Sequence, residues 1–191
     1  MRTLLTVCLL CLVVSPAFAE FPGVNLIGVF FSDTEFSQET TNIDCEPVPF
    51  NAYLALINGT VDSVGGYECA LGLSNPAVFL LAVTGPNGWT NFGDNTNHLC
   101  GYQTPLPVQL PGTVLATIQM LYTITDPVNI SLGPATPASI PDEMAIANGD
   151  NPEDLIPCPC LTADCIVATI WGDGVVATES HTWTGVKALF E

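Results

Sequence analysis

Positive charge is what this chain lacks most. It has two Lys and Arg residues, Arg2 and Lys187, against 19 Asp and Glu, for a formal charge of −17. Binding to nucleic acid depends on Lys and Arg neutralising phosphates, so that class of partner is excluded. Anionic membrane surfaces repel the chain for the same reason. Imidazole is equally scarce, with His98 and His181 the two histidines. Neither stands in a nucleophile motif. Ser74 sits in Leu71-Gly72-Leu73-Ser74-Asn75-Pro76, without the second glycine of a G-x-S-x-G elbow. Ser180 directly precedes His181, and adjacent residues do not normally form a dyad.

Long apolar runs are missing too. The longest, Leu4–Val14, is short of the ~20 residues a membrane span needs. It follows Arg2 and precedes Ser15-Pro16 and Ala17-Phe18-Ala19, a small-x-small cleavage signal. That pattern predicts a signal peptide over residues 1–19, cleaved after Ala19, and one domain over residues 20–191. The expected location is secreted, periplasmic or at the cell surface, with no membrane span after cleavage. Cleavage removes Arg2 and makes the chain one unit more negative, with Lys187 its sole Lys or Arg.

Cysteine, by contrast, is present in number. Cys8 and Cys11 leave with the signal, and Cys45, Cys69, Cys100, Cys158, Cys160 and Cys165 remain. An even set in an oxidising compartment predicts up to three disulfides, and sequence does not choose among the pairings. Cys160–Cys165 closing a small loop, Cys158 with Cys45, and Cys69 with Cys100 are candidate pairs. The Cys158-Pro159-Cys160 spacing fits zinc poorly, because structural sites use C-x₂₋₄-C pairs.

No segment of ten or more residues holds a capped 3.6-residue apolar period. Short apolar runs alternate with Gly, Pro, Asn and Asp. Predicted strands cover Val24–Phe31, Phe50–Ile57, Val64–Leu73, Ala77–Val83, Thr113–Ile124, Val128–Leu132 and Met144–Ala147. Ile166–Trp171 and Val175–Thr178 read as a hairpin around Gly172-Asp173-Gly174. Asn58-Gly59 and Gly85-Pro86-Asn87-Gly88 are turns. Ser32–Asn42 and Trp89–Cys100 read as irregular, and Thr184–Glu191 as a short C-terminal helix. Phe50, Ala52, Leu54 and Leu56 share one face, as do Tyr67, Cys69, Leu71 and Leu73. Short strands at this spacing predict an all-β, antiparallel sandwich or barrel, and of these an antiparallel β-sandwich of Ig-like or jelly-roll type is the fold class adopted.

Four features carry candidate chemistry. Asp94, in Gly93-Asp94-Asn95-Thr96-Asn97, and Asp150 and Asp154, in Asn148–Asp154, lie in oxygen-rich loops. Calcium takes six to eight oxygens, so it is the one cofactor these loops suggest, although turn chemistry alone also selects Asn and Asp. Trp89, in a polar loop beside Phe92, is the candidate for stacking on a sugar. Glu68 interrupts an apolar strand and is the carboxylate to watch for glycan hydrolysis, although a solvated outer sheet face accounts for it too. Asn58-Gly59-Thr60 and Asn129-Ile130-Ser131 match glycosylation sequons.

The order of elements resembles cohesin-type and carbohydrate-binding-module-type β-sandwiches. The likeness rests on Phe50–Ile57, on Val64-Gly65-Gly66-Tyr67-Glu68, on Ala77–Val83 and on Gly112–Ile118. Ile27-Gly28-Val29-Phe30, Pro137–Pro141 and Thr182–Phe190 are similar to segments of small exported bacterial proteins of unassigned function. The resemblance implies a non-catalytic module that binds a protein or glycan at the cell envelope or outside the cell. A calcium-dependent sugar binder and a glycan-active hydrolase are the alternatives. No motif is specific enough to carry over ligand-contacting residues.

Overall fold

The computed structural model describes residues 21–45, 48–124 and 126–172. The signal peptide with Ala19, the second arm of the Gly172–Gly174 hairpin, His181 and the C-terminal helix lie outside them. Twelve strands run in chain order: β1 Leu26–Phe30, β2 Asn42–Cys45, β3 Pro49–Ile57, β4 Ser63–Leu73, β5 Val78–Thr84 and β6 Thr90–Asn91. Then come β7 Asn97–Pro107, β8 Gly112–Tyr122, β9 Val128–Gly133, β10 Met144–Asn148, β11 Leu155–Cys158 and β12 Ile166–Gly172. A 3₁₀ turn at Glu39–Thr41 is the only helical element among the described residues.

The strands form a β-sandwich. The smaller sheet has the order β1-β3-β8-β5. The larger runs β11-β10-β4-β9-β12-β2, with β7 on the other side of β4 and β6 beyond β7. β4 is long enough to take two partners on one edge, β10 along Val64–Glu68 and β9 along Ala70–Leu73. Every pairing is antiparallel except β12 with β2, which is parallel and makes the larger sheet mixed.

Alternation places the core as the sequence predicts. Ala52, Leu54 and Leu56 of β3 face Tyr67, Cys69 and Leu71 of β4 within one cluster, with Phe50 and Leu73 packed at its margin. At the β8 bulge the register skips Leu115. Its carbonyl accepts a hydrogen bond of 2.8 Å from the Tyr102 hydroxyl on the opposite sheet. A bulge frees one residue from the ladder, and here that residue links the two layers.

The opposite face of β3 is also buried. Ala55 and Ile57 pack with Phe21, Leu26 and Phe30 in a second, smaller cluster. Two asparagines in the left-handed region hold this N-terminal segment. Asn25 Oδ1 accepts from the Thr60 N–H at 2.8 Å, and Asn58 Nδ2 donates to the carbonyls of Gly23 (2.9 Å) and Phe21 (3.2 Å). The Asn58 sequon is thus committed to the fold. Asn129, of the other sequon, accepts from Thr169 within the larger sheet.

One disulfide forms among the described residues, Cys160–Cys165. Cys45, Cys69, Cys100 and Cys158 are buried free thiols, so the candidate pairs Cys158–Cys45 and Cys69–Cys100 are not formed. Topology explains it. Cys45 on β2 and Cys158 on β11 lie at opposite ends of the larger sheet. Cys69 faces His98 across the β4–β7 ladder, while Cys100 faces Tyr67. The two cysteines are diagonal neighbours, roughly 7–8 Å apart and beyond ordinary disulfide reach. Burial raises the Cys45 and Cys100 thiols to about 11 and Cys158 to about 12.

Candidate binding surface

The outer face of the larger sheet carries one row of residues in register across five strands. Leu155 on β11 faces Ala147 on β10, which faces Gly66 on β4. Gly66 faces Gly101 on β7, and Gly101 faces Thr90 on β6. Three small residues in succession leave a trough of about 280 Å³. Phe92, Leu99 and Leu155 border it. Phe92 is 79 % exposed, the most exposed large apolar side chain among the described residues.

The two glycines differ in kind. A Cβ on Gly66 would lie 2.4 Å from the Cys100 carbonyl oxygen, so close strand approach requires glycine there. A Cβ on Gly101 would meet nothing within 4 Å, so its missing side chain is open space in the trough.

Glu68 lies on the neighbouring row, between Ala145 and Leu99. A solvated outer sheet face does not account for it, because Glu68 is only 8 % exposed. The segment between β9 and β10 covers it. Its carboxylate accepts from the Ser139 N–H (2.7 Å) and hydroxyl (2.8 Å), with the Ile140 N–H at 3.4 Å. Both oxygens therefore pin a loop to the sheet, and the loop covers the carboxylate. Asn97 holds the same loop at Thr136 through two further bonds of 2.7 and 2.8 Å.

Trp89 is not a surface platform. Pro86–Trp89 is a tight turn with Asn87 and Gly88 both at positive φ, closed by Trp89 N–H to the Pro86 carbonyl at 3.0 Å. The indole folds back over Gly85, where a Cβ would lie 2.3 Å from the ring. Its Nε1–H donates to the Tyr67 hydroxyl at 3.3 Å, and that hydroxyl meets His98 Nδ1 at 3.3 Å. His98 Nε2 faces the Asn95 carbonyl at 3.1 Å, an acceptor only. The ring proton therefore sits on Nε2, Nδ1 accepts from Tyr67, and Tyr67 accepts from Trp89. Burial holds His98 below the ordinary imidazole range. The relay is structural: it ends on the Asn95 backbone carbonyl.

The calcium candidates are spread over two loops. Asp94 Oδ1 accepts from Thr96 N–H, Thr96 Oγ1 and Asn97 N–H at 2.7–2.8 Å, and these bonds lower its carboxyl below the usual range. Asp154 Oδ2 accepts from Asn148 in the β10–β11 hairpin, and Asp150 contributes its N–H to Asn148 Oδ1. Among the described residues no group of three or more His, Cys, Asp or Glu is placed to hold a metal ion. No helix among them is long and apolar enough to cross a membrane.

The fold is cohesin-like. The chain is similar to the sixth cohesin of Acetivibrio cellulolyticus scaffoldin B, with a TM-score of 0.52, 5 % identity, and coverage of 79 % of this chain and 100 % of that one. A cohesin module from a Clostridium perfringens family 33 glycoside hydrolase aligns at a TM-score of 0.49 and 11 % identity, over 78 % of this chain and 98 % of that one. At 5 % identity the likeness to the scaffoldin B cohesin speaks for architecture. No family model matches the chain, and no curated protein sequence matches it. The sequence resemblance to cohesin-type sandwiches therefore holds at the level of fold.

Proposed function

We propose that this protein is an exported, non-catalytic module that binds another protein through the outer face of its larger sheet. The observation that carries this reading is the Leu155–Ala147–Gly66–Gly101 trough beside exposed Phe92. A rigid sheet that withholds side chains in one row and offers an aromatic at its edge suits an inserted apolar ridge of a partner. The described residues contain no Lys or Arg, so a neutral or basic partner meets the face without repulsion. The structure of the scaffoldin B cohesin is of a complex with a dockerin, which supports a protein rather than a glycan as the partner class. The hydrolase alternative finds no support in Glu68, whose carboxylate is already spent on the Ser139 loop.

Gly101 provides the test. Gly101→Trp places a large ring in the trough from a position where a Cβ meets nothing within 4 Å, and Phe92→Ala removes the rim. Partners captured by the wild-type chain from extracellular material of its own source should be lost by both variants while the melting temperature holds. Equal capture by wild type and Gly101→Trp removes this face from consideration. Release of sugars from glycans by the purified chain removes the non-catalytic reading.

A further inference from the structure

A second concavity lies at one end of the sandwich, away from the trough. The loop closed by Cys160–Cys165 roofs it. Ile27 N–H donates to the Pro159 carbonyl and Leu132 N–H to the Cys165 carbonyl, each at 3.0 Å. That loop is thereby tied to β1 of one sheet and β9 of the other, and a cavity of about 590 Å³ opens beneath it. The volume is within the range of small-molecule sites. Its walls are apolar, with Leu26, Pro134, Met144, Pro157 and Leu161 prominent, and it has no aromatic lining.

Two carboxylates, Asp142 and Glu143, are the only charged groups lining it. Asp142 occupies the left-handed region at φ +61°, and the Glu143 N–H closes a turn on the Ile140 carbonyl at 3.2 Å. The backbone thus sets both acids at the cavity in sequence. Neither carboxylate accepts a hydrogen bond from any described residue, and the described residues hold no Lys or Arg to pair with them. Two acids supply too few oxygens for calcium. Anionic ligands are repelled. Without an aromatic wall the cavity has no cation–π face for a quaternary ammonium and no platform for a sugar. An unbranched alkyl chain carrying a primary ammonium satisfies both halves of the lining.

We propose that this end cavity binds an aliphatic amine, its methylene chain against Leu26, Pro134, Met144 and Leu161 and its ammonium on Asp142 and Glu143. Such a group comes from a free diamine or from a lysine side chain of a bound protein. The site is independent of the trough, and its test does not use the trough.

Amide chemical shifts of the full chain at low salt, titrated with 1,5-diaminopentane, read the site directly. Saturable shifts are expected at residues 133–134, 142–144 and 157–165. 1-Pentanol, which has the chain without the charge, should bind roughly two- to fivefold more weakly. Asp142→Asn with Glu143→Gln should weaken the diamine roughly two- to fivefold at low salt. Both positions are exposed and keep their shape as amides, so an unchanged melting temperature certifies the fold. Equal binding of Nα-acetyl-lysine methylamide identifies the source as a partner's lysine, and diamine-only binding identifies a free metabolite. Non-saturating shifts spread over the 93–97 and 148–154 loops, or wild-type affinity in the double variant, overturn the proposal.

Discussion

His98 is the buried residue whose ionisation most directly touches the core. Its ring is neutral in the relay with Tyr67 and Asn95, and burial lowers its pKa. In the unfolded chain it titrates near the ordinary value of 6.5. The unfolded state therefore takes up the proton first as pH falls. Stability contributed by the neutral ring is present above about pH 6.5 and is lost progressively below it. Denaturant midpoints should decline between pH 7.5 and 5, and His98→Gln should flatten that decline at a lower absolute stability. Asp94 and Asp164, whose carboxyls are lowered by loop hydrogen bonds, lose their contribution only at more acidic pH, as protonation sets in below their ordinary value of 3.8. The two effects separate along the pH axis.

Strand pairing explains which elements were legible in the sequence. β3, β4, β8 and β9 announce themselves because one face of each is apolar and each is bounded by turn residues. β7 does not, yet it pairs with β4 over seven register positions and contributes His98, Cys100 and Tyr102 to the interior. Its inward residues are polar or sulfur-bearing, and prolines occupy its far end, so hydropathy reads it as loop. β2 and β11 escape notice because each is four residues long at a sheet edge. The trough was illegible for a related reason. Glycine in a strand signals either weakness or a close approach, and only the register distinguishes Gly66, jammed against Cys100, from Gly101, open to solvent. Polar neighbours make Trp89 the stacking candidate in the sequence, with core or rim packing the other reading, and the turn at Asn87-Gly88 folds it inward. The ladder yields a paired prediction. Gly66→Ala forces β4 from β7 and should cost about 1–3 kcal/mol, as overpacking does. Gly101→Ala should stay within about 0.5 kcal/mol of wild type. Equal losses from urea unfolding of both would contradict the register-based account.

At the scale of the whole molecule, charge is unbalanced throughout. The described body has acidic groups in most of its loops and no Lys or Arg to oppose them. Its cohesion therefore rests on the interlayer core and the strand ladders, with no ion pair between acidic side chains and Lys or Arg available among the described residues. Carboxylates repelling one another destabilise the compact form, and salt screens them over a Debye length of ≈ 10 Å at 0.1 M. The melting temperature should rise by several degrees from 20 mM to 500 mM sodium chloride. A melting temperature indifferent to salt would show that the loops hold their acids too far apart to interact.

The four buried thiols bear on how the chain makes the one disulfide found among the described residues. An unfolded chain offers many competing sulfur pairs, and chemistry alone favours none. Once the sheets close, Cys45, Cys69, Cys100 and Cys158 are sealed inside at raised pKa, while Cys160 and Cys165 stay half-exposed on the capping loop. Layer assembly thus acts as the editor of oxidation: it withdraws the wrong partners and leaves the right pair within reach, so that in the closed fold an oxidant meets Cys160 and Cys165 before any other sulfur.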